Sequence, residues 1–273
     1  MMKRYFLVGV MLAAATMGLN GFEPQALLAE ESTATGASTE MQIKPGEQTE
    51  NFFSIPQPAE GRPEKLPYLL YTPSDYVAGQ GAPMLLFLHG LGESGDGNFK
   101  QIAVHGPPKR VAKEGKEFRF VIVSPQSPHP GKERELVVAS WKVDELMALL
   151  DHVEEHLTID TSRVYVSGLS MGGFGTWRLA ATHPERFAAA VPVCGGGKTE
   201  WADELAKLPI WAFHGGKDTV VETRESEEMV AAIQRAGGDV KLTIYPEAGH
   251  DSWTATYANP EVYAWLMRHQ LQQ

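Results

Sequence analysis

The strongest constraint on the fold of this chain is a regular alternation between short apolar runs and amphipathic stretches. The apolar runs end on Gly, Pro or His, as is typical of strands buried on both faces, and they cover 65–73, 83–90, 118–125, 163–168, 187–196, 209–216 and 240–250. Apolar residues recur at helical spacing over 143–157, 175–184, 222–238 and 260–271. This alternation predicts an α/β fold, with a mostly parallel central sheet flanked by helices on both faces. Because parallel strands share one direction, the loops that follow them should lie along one edge.

The first 29 residues have the features of a secretory signal peptide. Lys3 and Arg4 precede an apolar run that ends among small residues, and we place the cleavage after Ala29. The run from Tyr5 to Leu19 is shorter than the roughly 20 residues that a membrane-spanning helix needs. A retained N-terminal anchor is the alternative. After cleavage, the sequence predicts a periplasmic or secreted protein with no stable membrane insertion.

The next segment differs in composition from the rest of the chain. Residues 30–50 are rich in Ser, Thr, Glu and Gly and have almost no large apolar side chains. Such a segment cannot offset the entropy that is lost on ordering. We therefore predict a flexible tether over 30–50 and a single folded domain over 51–273.

Charge and cysteine content limit the partners and the covalent chemistry. The net charge of −10 disfavours nucleic acid as a partner. Cys194 is the only cysteine, so no disulfide can form within the chain, and we expect it to act as a small buried hydrophobe. The sequence has no HExxH and no paired CxxC motif, and its histidines are scattered. We therefore expect neither a metal nor another cofactor. The sequence does not indicate the oligomeric state.

One short segment concentrates glycine around a single serine. VSGLSMGGFGTW, residues 166–177, contains a GxSxG pattern centred on Ser170, after a predicted strand and before a predicted helix. In that context the turn holds the serine in a strained backbone conformation with its Oγ exposed, and the glycines let neighbouring backbone pass close by. The pattern predicts a nucleophile. A tight strand-to-helix turn without chemistry is the alternative.

A serine hydroxyl is a weak nucleophile and needs a base, which is itself oriented by a third group. His250 ends the last predicted strand and is the predicted base. His89 and His214 also end strands, but each precedes glycine and is better suited to loop packing or hydrogen bonding.

The acid is expected between the nucleophile and the base in chain order. Asp218 follows the penultimate predicted strand and fits that order. Glu222, four residues later, is the second choice. Asp251 is adjacent to His250, so its side chain is poorly placed to reach that imidazole.

Acyl transfer also requires hydrogen-bond donors for the oxyanion that develops on the carbonyl. The backbone N–H groups of Met171 and Leu91 are the predicted donors, because Met171 starts a helix and Leu91 lies in the glycine-containing turn after a strand. Trp253, Trp141 and His89 are candidates for the substrate pocket, although buried tryptophan more often belongs to the core.

Five motifs in order resemble the α/β-hydrolase superfamily: LHGLGESG, YVSGLSMGGFGTW, PVCGGG, HGGKDTVV and GHDSW. The resemblance covers about residues 65–270 and is closest to secreted bacterial carboxylesterase-like members, which include phospholipase/carboxylesterases, dienelactone-hydrolase-like proteins and predicted prolyl-oligopeptidase-type peptidases. It implies Ser170, Asp218 and His250 as a catalytic triad, with Leu91 and Met171 as oxyanion donors. Dienelactone hydrolases carry cysteine as the nucleophile, so the serine here puts their substrate in doubt.

The predicted function is cleavage of carboxylic esters through an acyl-enzyme, with short-acyl or aryl and feruloyl-type esters, free or linked to polysaccharide, as substrates. A serine peptidase of prolyl-oligopeptidase type would use the same residues and is one alternative. A non-catalytic ligand-binding protein on a hydrolase scaffold is another.

Overall fold

The computed structural model describes residues 40–58, 61–129 and 133–271. One eight-stranded sheet has the order β1-β2-β4-β3-β5-β6-β7-β8. Its strands are β1 Gln48–Ser54, β2 Lys65–Tyr71, β3 Ala82–Leu88, β4 Val121–Pro125, β5 Ile159–Leu169, β6 Ala189–Val193, β7 Ile210–Gly215 and β8 Val240–Tyr245. Strand β2 pairs antiparallel with β1 and β4, whereas the other neighbouring strands are parallel. The predicted mostly parallel sheet is confirmed.

Helices cover both faces of this sheet. They are α1 Phe99–Ile102, α2 Gly106–Glu114, α3 Arg134–Val138, α4 Val143–His156, α5 Met171–Thr182, α6 Ala202–Leu205, α7 Arg224–Arg235, α8 Trp253–Ala258 and α9 Pro260–Met267. Helices α4, α5 and α7 contribute buried side chains to one apolar cluster, and α8 and α9 contribute to a second. The predicted α/β-hydrolase fold is therefore confirmed.

Strand β3 shows how the sequence builds these two layers. Met84 and Leu86 belong to the cluster that contains α4, α5 and α7, whereas Leu85 and Phe87 belong to the cluster on the other face. Successive side chains of a strand point to opposite faces, so a strand covered on both sides must be apolar at every position. This is why β3 is a continuous apolar run.

The first strand corrects the prediction of a flexible tether over 30–50. Residues 48–50 of that range lie in β1, which pairs along its length with β2. Only alternate residues of this edge strand are buried, so a polar sequence is compatible with it. The buried Thr49 and Asn51 hydrogen-bond the backbone of Gln42. The rest of the predicted tether and the predicted signal peptide lie outside the described residues.

The topology brings the predicted functional residues to one edge of the sheet. Strands β3, β5, β6, β7 and β8 are parallel, so the loops that follow them open on the same side.

None of the helices in the described part of the chain has the length and apolar character that crossing a membrane requires.

Candidate active site

The turn between β5 and α5 holds Ser170 in an unusual backbone conformation. Its φ is 52° and its ψ is −116°, a region that residues with a Cβ rarely adopt. Two hydrogen bonds hold this turn: the Ser170 N–H donates to the carbonyl of Val193 at 2.9 Å, and its carbonyl accepts from the Phe174 N–H at 3.0 Å. The turn is thus fixed to β6 on one side and to its own helix on the other.

The glycines around Ser170 are required by close backbone approaches. A Cβ on Gly172 would collide with the carbonyl of Leu88, at the end of β3. A Cβ on Gly168 would collide with the carbonyl of Gly172. The helix therefore starts so close to the sheet that only hydrogen fits at these two positions.

Three loops bring Ser170, His250 and Asp218 into one hydrogen-bonded chain. Nε2 of His250 lies 2.9 Å from Oγ of Ser170, and Nδ1 of His250 lies 2.7 Å from Oδ2 of Asp218. The three side chains follow β5, β8 and β7. His250 stands five residues beyond the end of β8 rather than at the end of the strand, because β8 stops at Tyr245.

The carboxylate of Asp218 is buried and fixed on both oxygens. Its Oδ1 accepts the backbone N–H groups of Val220 at 2.9 Å and Val221 at 3.0 Å. Its Oδ2 faces His250 and also lies 3.3 Å from Nε2 of His214. Such a carboxylate can hold the imidazole of His250 in one orientation and one tautomer.

His214 supports this carboxylate from within the core. Its Nδ1 lies 2.7 Å from Oγ of Ser226 and its Nε2 lies 3.0 Å from the carbonyl of Val221. Burial lowers the pKa of His214, which favours a neutral ring. The sequence suggested loop packing or hydrogen bonding for His214, and it makes hydrogen bonds. Its contact with Asp218 was missed, although a spacing of four residues was visible.

The other two acidic candidates are engaged elsewhere. Glu222 is exposed and pairs with Arg224 at 3.3 Å. Asp251 accepts hydrogen bonds from the backbone N–H and the hydroxyl of Thr254, at 3.0 and 2.9 Å. Asp218 is therefore the carboxylate that the structure brings to His250.

The two predicted oxyanion donors open into the same pocket as Ser170 and His250. This pocket has a volume of about 600 Å³, and its wall includes Leu91 and Met171. Within 40–58, 61–129 and 133–271, neither of their N–H groups donates a hydrogen bond to the protein. Both are available to a carbonyl oxygen of a substrate, as an oxyanion hole requires.

Glu93 is a residue at this site that the sequence reasoning missed. Its Oε2 accepts the N–H of Gly90 at 2.9 Å, and its Oε1 lies 3.6 Å from Nε2 of His105. Burial raises the pKa of Glu93. The bond to Gly90 anchors the turn that carries the N–H of Leu91. Glu93 thus makes one half of a capping box, since glycine has no side chain to return the bond, and the three-residue spacing from Gly90 to Glu93 is visible in the sequence.

Of the three residues proposed for the substrate pocket, the structure places one there. Trp253 lines the pocket and packs edge-on against His250 at 5.2 Å between ring centroids. Trp141 and His89 are instead buried and pack against each other at 4.8 Å. The prediction fails for these two because a residue near a strand end can also turn inward. Two hydrogen bonds hold the ring of His89 there: Nδ1 lies 2.6 Å from the carbonyl of Gly90, and Nε2 accepts the N–H of Ser127 at 3.0 Å.

The described residues include one group that could hold a metal ion, formed by His152, Glu155 and His156 on α4. None of these residues lines the pocket around Ser170.

Comparison with known proteins agrees with this architecture. A solved thermostable esterase superposes with a TM-score of 0.68 and 30% identity, over 82% of this chain and 64% of that one. The sequence model of the Dienelactone hydrolase family matches residues 131–264. The chain belongs to the α/β-hydrolase superfamily.

This α/β-hydrolase also resembles curated enzymes over part of their length. It is 30% identical over 159 residues to the bifunctional acetylxylan esterase/xylanase XynS20E of Neocallimastix patriciarum, which corresponds to 58% of this chain and 22% of that protein. It is 29% identical over 143 residues to poly(3-hydroxyalkanoate) depolymerase C of Paucimonas lemoignei, or 49% of this chain and 32% of that one. The chain thus matches less than half the length of each of these two relatives.

Proposed function

We propose that this α/β-hydrolase is a serine esterase that cleaves carboxylic esters with a short acyl group, or with an aryl or feruloyl-type group. The observation that carries the proposal is the hydrogen-bonded chain from Ser170 Oγ through His250 to the buried Asp218. It opens into a pocket that also exposes two unengaged N–H groups. Nucleophile, base, orienting acid and oxyanion donors are the set that acyl transfer requires.

In the first half of the reaction, Oγ of Ser170 attacks the ester carbonyl carbon. Nε2 of His250 takes the hydroxyl proton, because its Nδ1–H donates to Asp218 and leaves Nε2 as an acceptor. The N–H groups of Leu91 and Met171 stabilise the negative charge on the former carbonyl oxygen. The carbon–oxygen bond to the alcohol then breaks, and His250 gives its proton to the leaving alkoxide.

The second half releases the acid. Water enters in place of the alcohol, and His250 removes a proton from it as it attacks the acyl-enzyme carbonyl. The tetrahedral intermediate collapses, the bond to Ser170 breaks, and His250 returns the proton to Oγ. The imidazole is neutral at the start and at the end, and no other reactant is consumed.

The substrates proposed for this site are small esters or esters linked to polysaccharide. The names of the matched relatives include an acetylxylan esterase and a polyhydroxyalkanoate depolymerase, and both activities hydrolyse esters of hydroxyl-rich or hydroxy-acid polymers. A polymer substrate outside the cell also agrees with the predicted signal peptide, and we propose that the protein acts in the periplasm or after secretion.

Hydrolysis of p-nitrophenyl acetate, butyrate and octanoate by the purified protein tests this proposal. We expect activity that decreases with acyl length and a loss of at least about 10⁴-fold in Ser170→Ala, since the nucleophile is removed. The Ser170→Ala variant should keep the circular dichroism spectrum and the melting temperature of the parent. Release of amines from short peptides at rates comparable with ester cleavage would favour a peptidase. Failure of a fluorophosphonate probe to label folded protein would contradict catalysis.

A further inference from the structure

A second cleft adjoins the pocket of Ser170. It has a volume of about 530 Å³ and shares two of its wall residues, Val138 and Phe174, with that pocket. Phe174 follows Ser170 by one turn of α5. The second cleft therefore adjoins the pocket in which the carbonyl carbon of a substrate would meet Ser170 Oγ. A cleft of this size is within the range that small ligands occupy.

The second cleft has an aromatic side chain that is partly exposed. Trp201 lies in a 3₁₀ turn after β6 and lines the cleft. Part of its ring packs against the core, and Nζ of Lys198 lies 6.0 Å from the ring centroid. A tryptophan that keeps ring surface accessible beside charged groups provides an apolar face for the C–H groups of a ligand whose other groups are polar.

The charged groups of the second cleft are of both signs. Arg178 and Lys198 contribute cations, and neither forms an ion pair with a carboxylate among the residues that the structure describes. Glu135 and Glu225 contribute carboxylates. Among the described residues, the wall of the cleft therefore presents hydrogen-bond donors as well as acceptors.

This combination of groups discriminates between classes of ligand. A long alkyl chain would desolvate ionised side chains without replacing their hydrogen bonds, which is costly. A free carboxylate would lie close to the carboxylate of Glu135. Hydroxyl groups both donate and accept hydrogen bonds. A neutral ring with several hydroxyls can therefore bond to the two cations and to Glu135 while its C–H face contacts Trp201.

We infer that the second cleft binds the sugar part of an acylated carbohydrate while the ester of that carbohydrate lies at Ser170. The inference rests on the proposed esterase function and specifies the alcohol part of its substrate. Trp201 and Arg178 are then specificity-determining residues, and the acyl group stays in the pocket beside Trp253.

Two acetate esters that share the acyl group but differ in the alcohol test this inference: p-nitrophenyl acetate and mono-O-acetyl methyl β-xylopyranoside. In Trp201→Ala we expect kcat/KM for the acetylated sugar to fall about tenfold, which corresponds to one aromatic contact. For p-nitrophenyl acetate it should change by less than about twofold, because that alcohol does not reach the second cleft. Trp201→Phe keeps an aromatic face and should restore most of the activity on the sugar ester.

A second variant and a binding measurement cover the case in which Trp201→Ala fails to fold. Arg178→Gln removes donors from the cleft and should also fall about tenfold on the sugar ester only. Calorimetry of xylotriose with the Ser170→Ala protein measures sugar binding without turnover. We expect binding that is lost when Trp201→Ala is added to Ser170→Ala.

Three results would overturn the inference. They are equal losses on both esters, no loss on either ester, and selective loss on an acetyl ester of 3-hydroxybutyrate, which would show that the cleft accepts a carboxylate-bearing group. Inactivity of the parent protein on p-nitrophenyl acetate would instead contradict the proposed esterase function, and xylotriose binding would still decide whether the cleft holds a sugar.

Discussion

Replacement of Asp218 by Asn tests whether this side chain sets the tautomer of His250. Oδ1 of Asp218 accepts the N–H groups of Val220 and Val221, at 2.9 and 3.0 Å. In Asp218→Asn the amide oxygen must occupy that position, since an NH₂ there would face two donors. The NH₂ group then faces Nδ1 of His250, where the parent has a carboxylate oxygen at 2.7 Å.

The expected consequence is loss of the base. Nδ1 of His250 must become an acceptor, so the ring proton moves to Nε2, which lies 2.9 Å from Ser170 Oγ. A protonated Nε2 cannot take the serine proton. We expect kcat to fall by about 10⁴-fold, or about 5 kcal/mol of transition-state free energy.

Steady-state hydrolysis of p-nitrophenyl acetate at pH 7 measures this effect, and ¹⁵N NMR of the histidine ring identifies the tautomer. Asp251→Asn is the matched control, because Asp251 is exposed, adjacent to His250, and bonded to Thr254. We expect it to keep kcat within about twofold. If Asp218→Asn retained more than a tenth of the parent kcat, or if Asp251→Asn lost as much, the assignment of the acid would be refuted.

Three further predictions concern the backbone turn and two buried groups. Gly172→Ala should cost about 1–3 kcal/mol of unfolding free energy and most of the activity, because the new Cβ would meet the Leu88 carbonyl. Gly92→Ala, where a Cβ would have nothing within 4 Å, should leave the unfolding free energy unchanged. Urea titrations measure both variants, and equal effects would contradict the steric argument. Burial lowers the pKa of His89 to about 4. Between pH 6.5 and 4 the unfolded chain therefore binds a proton that the folded chain does not, and the unfolding free energy falls with falling pH by up to about 3 kcal/mol. An NMR titration of His89 with a midpoint near 6.5 would disprove this. Burial raises the pKa of the Cys194 thiol to about 12, so a disulfide exchange reagent at pH 8 should react only after unfolding, and rapid labelling of native protein would argue against a buried thiol.

The residues that support the site show where sequence reasoning stops. His214 and Glu93 were not assigned to the site. His214 nevertheless contacts the Asp218 carboxylate, and Glu93 bonds to the turn that carries Leu91. Trp141 and His89 were assigned to the pocket and are buried instead. In each case the local sequence names the residue type and the loop, but the direction of the side chain depends on neighbours from other elements.

The sequence by itself determined the sheet-and-helix alternation, the nucleophile turn and the order of Ser170, Asp218 and His250, because these depend on period, glycine placement and chain order, which are local or linear properties. Only the tertiary structure decided that residues 48–50 belong to an edge strand of the sheet, since the pairing of β1 with β2 comes from a ladder between segments and not from composition. The tertiary structure alone also decided the second cleft, whose walls come from α3, α5, α7 and the segment between β6 and α6. A cleft exists only after such separate elements have packed, because its shape is a property of the space between them.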